Sequence, residues 1–355
     1  MDRLSMNAGR TLPARRSDLS DGSEGAYNSP FRTTEGAIPL KAQFIFFFAL
    51  FLFDMFHISP FREPKILFVR SGEIWIMNPQ GENQEFLTQG DYPRFSPDGS
   101  KIVFSLWNQM YIMDIKKRKS RIIELPHKVG SPDWAPDGKK IVYCGFKEGG
   151  LCDLFLLSVE DGSTRNITQT ENIGESHPRF SPDGRKILFF EYDLARRDFH
   201  ICLINPDGSG RLRIKTDRRK HDYEVEPDWS PDGRSIVFSS RTEEGFSIFL
   251  MDMSTGKERK LVRLENMNWA RNPIFSPDGR KIAFQGAVKE AGNKLDIFIQ
   301  DIKGGKPINI TNTMGESEFI HDWFDPQFAY PVDVILNLLT MWGTIKRSSR
   351  LIGGW

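Results

Sequence analysis

PRFSPDGSKIVFS, residues Pro93–Ser105, returns four more times in altered form: PDWAPDGKKIVYC from Pro132, PRFSPDGRKILFF from Pro178, PDWSPDGRSIVFS from Pro227 and PIFSPDGRKIAFQ from Pro273. In each copy a proline (Pro97, Pro136, Pro182, Pro231, Pro277) supplies the fixed φ that a type I turn wants, Asp follows, and Gly can take the left-handed position that closes a bulged hairpin. The phrase therefore predicts a short strand ending in Phe or Trp, a tight turn, and a second strand such as KIVFS. A third strand follows as MYIMDI, LFLLSV, HICLIN, IFLMDM or IFIQDI. After VEDG, NPDG, MSTG or IKGG comes a fourth, read in RIIEL, NITQ, RIKT, KLVR and INIT. Each unit is a four-stranded antiparallel meander.

The aromatics that end the first strands, Phe95, Trp134, Phe180, Trp229 and Phe275, are spaced by 39, 46, 49 and 46 residues. Four strands repeated at that period mark propeller blades, because one such sheet buries neither face alone and must stack radially on its neighbours. Alternation in strands such as KIVFS and the density of Pro-Asp-Gly turns exclude helical repeats. Ahead of the first phrase, KILFV (Lys65), EIWIMN (Glu73) and QEFLT supply three strands that lack a first; after the last unit, FIHDWFDP (Phe319) supplies a first strand with its anchor Trp323. The expectation is an all-β, six-bladed β-propeller over residues 64–325, with its closing blade assembled from both termini so that no edge is left at the seam.

The aromatic-Ser/Ala-Pro-Asp-Gly phrase, the third strand of the MYIMD kind and the NITQ or FLTQ ending resemble the TolB-type propeller repeat, also found in relatives of prolyl oligopeptidase. The likeness covers Lys65 to about Asp325. TolB carries an α/β domain ahead of its propeller, where this chain has a short leader, so no Tol-Pal role is carried over. The oligopeptidases need a catalytic α/β domain, and 30 residues follow Asp325 here. Some six-bladed propellers of related repeat type, the oligogalacturonate lyases, hold a metal at the axis.

Lys plus Arg (48) and Asp plus Glu (47) nearly cancel, so no overall field draws the chain to nucleic acid or an anionic membrane. The basic runs KKRK (Lys116) and RLRIKTDRRKH (Arg211) read as solvated outer strands. Cys144, Cys152 and Cys202 show no CxxC spacing; no zinc site or disulfide framework is indicated, and Cys144 and Cys152 are expected as separately buried thiols. Residues 1–42 read as a disordered polar leader. Residues 43–60 contain the apolar run Phe44–Phe53, too short to span a bilayer but suited to a signal or anchor segment. Export to the periplasm or cell envelope follows, with membrane contact only through this segment. Translation from a start near Ile38 or Leu40 would leave Lys41 as a short basic lead. In the tail, 326–355, an amphipathic helix would align Ile335, Leu338, Leu339, Trp342 and Ile345 on one face.

No GxSxG, HExxH, GxxxxGK[ST] or GxGxxG occurs. GESHP (Gly174) and GESEF (Gly315) echo one another at equivalent loop positions rather than marking nucleophiles. The turn aspartates Asp98, Asp137, Asp183, Asp232 and Asp278 lie on separate blades, so they cap turns and do not converge on calcium. Asn166 and Asn309 belong to the repeat rather than to glycosylation. His177, His221 and His321 could approach the axis with Asp322, yet no histidine spacing repeats. No cofactor, metal or catalytic residue is therefore assigned, and the reading is a monomeric, non-catalytic module for a protein, peptide or glycan. The alternative is a lyase or hydrolase acting at the axis on a saccharide or ester.

Just before the anchors stand Arg94, Asp133, Arg179, Asp228, Ile274 and Asp322. Side chains alternate along a strand, so interblade ion pairs near the axis are expected at four junctions. The Pro-Asp-Gly and xxG turns share one face, whereas the variable loops LWNQ, GFKEGGL, EYDLARRD, RTEEGF, TENIGESH, DRRKHDYEVE and ENMNWARN share the other. Binding residues concentrate in such loops, which selects Trp107, Tyr192, Arg196, Arg197, His221, Tyr223, Trp269, Arg271 and His321.

Overall fold

The Pro-Asp-Gly turn is closed by its own side chains. In four copies the serine ahead of the proline (Ser96, Ser181, Ser230, Ser276) donates from Oγ to the Asp carboxylate at 2.6 Å. The same Oγ accepts the backbone N–H five residues on at 2.9 Å. The other copy has Ala135 instead and keeps only the Asp137 bond from the Lys139 N–H at 2.9 Å. Gly99 shows why the last position is glycine: φ is +68°, and a Cβ there would lie 2.3 Å from the Phe324 ring.

The computed structural model describes residues 60–216, 224–262, 267–288, 294–313 and 315–329. Six antiparallel sheets of four strands follow, each from the axis outward. Blade 1 is β24 (Glu318–Phe324), β1 (Lys65–Arg70), β2 (Glu73–Met77) and β3 (Glu85–Gln89). Blade 2 is β4 (Asp91–Phe95), β5 (Lys101–Leu106), β6 (Gln109–Asp114) and β7 (Lys119–Ile123). Blade 3 is β8 (Val129–Trp134), β9 (Lys140–Phe146), β10 (Cys152–Ser158) and β11 (Thr164–Asn166). Blade 4 is β12 (Ile173–Phe180), β13 (Ile187–Asp193), β14 (Asp198–Ile204) and β15 (Leu212–Arg213). Blade 5 is β16 (Glu224–Trp229), β17 (Ser235–Thr242), β18 (Gly245–Asp252) and β19 (Glu258–Lys260). Blade 6 is β20 (Met267–Phe275), β21 (Lys281–Val288), β22 (Leu295–Asp301) and β23 (Ile308–Asn309). The first strands touch in order, β24 to β4 to β8 to β12 to β16 to β20 and back to β24, so the ring closes as expected.

Among the described residues there is no central core. The buried apolar residues form clusters that each lie between two adjacent blades, at all six junctions. Ile102 and Phe104 face blade 1, whereas Val103 between them faces blade 3. KIVFS is therefore not the alternating strand read from sequence; both faces of each blade are buried, so the run is apolar throughout. The outermost strands of blades 3 to 6 have only two or three residues, which blunts the edges they present.

Two local expectations change. The basic run at Arg211 is not merely a solvated edge: Arg211 reaches buried Glu175 at 2.9 Å and Glu191 at 3.1 Å, and Arg213 reaches Glu191 at 2.8 Å. Cys144 and Cys152 are free and buried, but diagonal neighbours on β9 and β10, close enough that Cys152 raises the Cys144 thiol pKa. Asn166 and Asn309 donate to Asp153 and Asp296 at 2.7 and 2.8 Å, welding fourth strands to third strands as repeat residues.

The leader 1–42, nearly all of the apolar segment 43–60 and the tail helix lie outside the described residues. At the boundary, Phe61 packs against Phe95 and Phe324, with ring centroids 5.9 and 6.1 Å apart. No helix among the described residues is long and apolar enough to cross a membrane.

Candidate functional site

Every first strand carries an extra residue against its neighbour. The register slips between Asp91 and Arg94, Gly130 and Asp133, Ser176 and Arg179, Val225 and Asp228, and Arg271 and Ile274, and in blade 1 around His321. The cause is visible in the repeat: Pro93, Pro132, Pro178, Pro227 and Pro273 have no N–H for the ladder, so the strand bulges there. Each residue before these prolines has left-handed backbone: Tyr92 (53°), Ser131 (46°), His177 (51°), Glu226 (55°) and Asn272 (50°). Bulges re-aim side chains, and strained non-glycine backbone clusters at functional sites. Sequence reading missed this ring, although the proline two places before each anchor was its signal.

The bulges gather groups at the axis. Tyr92 of blade 2 lies between His177 of blade 4 and His321 of blade 1, with ring centroids 6.0 and 5.6 Å apart. Blades 2 and 4 are not adjacent, so the Tyr92–His177 contact is made across the channel. Asn272 fastens the blade 6 to blade 1 junction by donating to the Ile320 carbonyl at 2.7 Å.

Below this layer lies the ring of residues preceding the anchors. Asp322, Asp133 and Asp228 accept the N–H of the next blade's anchor, Phe95, Phe180 and Phe275, at 2.7, 2.8 and 3.0 Å. Blades 1, 3 and 5 thus clasp blades 2, 4 and 6. Arg94 donates to Asp133 at 2.9 Å, lies 3.6 Å from Asp322 and also bonds the His321 carbonyl. Arg179, at the same repeat position, is 7% exposed and has no carboxylate within 4 Å among the described residues. Its one hydrogen bond runs from Nη1 to the Pro178 carbonyl at 2.9 Å, and its Nε has none. The expected ion pairs therefore form at the two junctions flanking Arg94 and fail at the two flanking Arg179. The reason at Asp133 is competition: one oxygen is taken by Arg94 and the other by the Phe180 N–H.

Electrostatics follow from this burial. His177 is pushed down to about 3 by burial, then by Arg179 and Arg271; His321 is held well below the usual imidazole range by burial, Arg179 and Arg94. Both rings are neutral. Burial, then Arg94, lowers Arg179 to about 10, which still leaves it charged. Asp228 and Asp322 are raised by burial.

The residues selected from sequence are dispersed. Trp107 stands 77% exposed at φ +51° in the two-residue turn between β5 and β6. Tyr192 stacks on Phe199 at 4.6 Å; Arg196 and Arg197 are exposed, the former 3.9 Å from Asp193. Trp269 is half-buried. Arg271 pairs with Glu226 at 2.9 Å and lies 4.6 Å over the Phe246 ring. His321 reaches the axis, and Arg271 is close enough to bear on His177. His221 and Tyr223 lie outside the described residues. Of the histidines considered for chemistry, His177 and His321 converge, while Asp322 belongs to the deeper layer.

Residues 62–196 match the sequence model of the TolB beta propeller domain. An uncharacterized protein of Agrobacterium fabrum is 30% identical over 189 residues, 48% of this chain and 60% of that protein. Dipeptidyl-peptidase 5 of Porphyromonas gingivalis is 28% identical over 145 residues, 37% of this chain and 20% of the peptidase. The chain thus spans between a fifth and three fifths of the length of these relatives. Among solved structures, a putative TolB from Agrobacterium tumefaciens superposes with a TM-score of 0.60 at 18% identity, covering 74% of this chain and 98% of that one. An oligogalacturonate lyase in complex with manganese superposes at 0.51 and 17% identity, covering 67% and 70%.

The expectation that the chain is not an enzyme is corrected by these findings, since a named peptidase is among its sequence relatives and a lyase among its fold neighbours. The manganese is said of that lyase, whose 17% identity shows the fold alone. Among the described residues no group of three or more His, Cys, Asp or Glu is placed to hold a metal ion. The repeat, the closed ring of six blades and the matched residues agree: the chain is a six-bladed β-propeller whose residues 62–196 match the TolB beta propeller domain.

Proposed function

We propose that this propeller is a recognition module that binds a protein, peptide or glycan at the axial mouth on its variable-loop face. One contrast carries the reading. The turn face consumes its polar groups in its own repeated bonds, whereas the bulged first strands aim Tyr92, His177 and His321 into the mouth beside a guanidinium left unpaired. Trp107, Arg196 and Arg197 would extend that surface along the loops. Placement in the cell envelope draws on the apolar segment 43–60. Phe61 packs against the anchor Phe95 and against Phe324 at the turn end of the first strands.

The test is capture from an envelope fraction followed by titration of the captured ligand. Tyr92→Ala combined with Trp107→Ala should cost about 1–3 kcal/mol in binding with melting unchanged. Asp232→Ala on the turn face should leave affinity intact; the reverse pattern would reject the mouth. A second reading, chemistry on a saccharide or ester at the same axis, is supported by the convergence of His177 and His321 on Tyr92 and by the lyase among the fold neighbours. Turnover of a saccharide or ester panel that is lost in His177→Gln would favour it.

A further inference from the structure

The geometry points to Arg179 as the anchor for one carboxylate, the C-terminal carboxylate of a peptide entering by the mouth. This rests on the mouth being the binding site, and adds what the ligand must carry. An unpaired guanidinium at 7% exposure has no use for stability: burying a charge without its counterion is costly, and an apolar side chain of similar volume would serve the fold better. Arg94 is tied to Asp133 and Asp322 and Arg271 to Glu226, so both are occupied. Arg179 spends only Nη1, on the Pro178 carbonyl, which leaves Nε and Nη2 without a bond among the described residues. Those two N–H groups form the side-on fork that matches the two oxygens of a carboxylate.

Position agrees. Arg179 feels the charges of Arg94, Asp133, Asp228 and Asp322, which stand on the first strands of four different blades other than its own, so its head group lies on the axis. Above it, His177 and His321 are neutral; His177 Nδ1 lies 3.1 Å from Ser176 Oγ, and with that hydroxyl donating, the Nε2–H of His177 is left for a ligand oxygen. The surroundings also limit the charge. In the axial layer, among the described residues, Arg179 is the arginine without a carboxylate partner, and Asp133, Asp228 and Asp322 bear on it, so a second anionic group drawn into that layer would meet carboxylates. A chain end with one carboxylate fits; an acidic polysaccharide with one on every sugar does not.

Three measurements on the full chain test this, using wild type, Arg179→Met and Arg179→Gln. In thermal melts at matched ionic strength, acetate should raise the wild-type midpoint above the chloride control by ligand linkage and leave both variants unmoved. Without ligand, Arg179→Met should melt at or above wild type. On immobilised protein, a pool of short peptides with free C-termini should be retained at least about tenfold better than its C-amidated twin, with the preference gone in both variants. Acetate acting no better than chloride, equal retention of acids and amides, or a variant that melts below wild type would each overturn the proposal. Oligogalacturonate retained through Arg179 more tightly than the peptide acids would replace the peptide by an acidic sugar. If Tyr92→Ala with Trp107→Ala abolishes peptide binding while Arg179→Met does not, the mouth stands and the carboxylate anchor falls.

Discussion

Arg94 and Arg179 occupy the same position of the repeat, each with an aspartate in the equivalent place of both neighbouring blades, and they end in opposite states. Arg94 is paired on both sides. Arg179, more deeply buried, holds one carbonyl and leaves its fork open among the described residues. Three aspartates must hold three backbone N–H groups and serve two arginines, so the clasp that locks neighbouring blades also decides which arginine goes without. A repeat can thus set geometry uniformly and still leave one blade electrostatically unlike the rest, and that blade is where a ligand has something to bind.

Opening the ring should have the largest effect. Truncation before Gly315 removes β24, with the buried Ile320 and Phe324 and two of the partners of Arg94. It should abolish the cooperative transition, a loss on the order of the whole ~5–15 kcal/mol of a domain. Calorimetry showing the wild-type melt would mean the ring does not close through this strand.

The next test separates the aspartates. Asp133→Ala deprives both Arg94 and the Phe180 N–H and should cost about 3–5 kcal/mol in denaturant melts. Asp228→Ala deprives, among the described residues, the Phe275 N–H alone and should cost about 1–3 kcal/mol. Equal losses would show that Arg179 does draw on Asp228 in solution.

Acid should find the mouth first. The unfolded His177 titrates near ~6.5, but in the fold its pKa is about 3. The unfolded chain therefore binds more protons between these values, and the stability of a neutral His177 is full above ~6.5 and falls as pH drops toward 3. Glu175 runs the other way. Burial, against the pull of Arg211, raises it from 4.5 to about 7, so its contribution is full below 4.5 and is lost as pH rises through 7. His177→Gln should flatten the acid limb of the melting temperature and leave the Glu175 limb; an unchanged acid limb would mean the imidazole is hydrated.

Smallest is the turn face. Ser230→Ala recreates in blade 5 what Ala135 already is in blade 3, and should cost about 1 kcal/mol with no change in peptide retention. A binding defect from this change would undo the division between the two faces.

The fold was legible because its signals are short-range. A serine, a proline, an aspartate and a glycine within five residues make the turn, and six copies of an aromatic strand end can be counted. The bulges were half legible: the prolines were in plain view, but their effect on the preceding residue needed the partner strand. Trp107 was foreseen as a loop residue, and its exposure came only with the packing. The basic run at Arg211 misled, because charge along an outer strand looks the same whether it faces water or reaches a buried glutamate.

The amino-acid sequence by itself determined the turn, the four-strand blade, the number of blades and the seam between the chain's two ends, all of which depend on local hydrogen bonds and on matching fragments. Only the tertiary structure decided that Tyr92 meets His177 and His321, and that Arg94 is satisfied while Arg179 is not. Those contacts join residues from 39 to more than 200 positions apart, counted along the chain. They depend on how six blades close around one axis and on which donor reaches a shared carboxylate first, distances that no local pattern encodes.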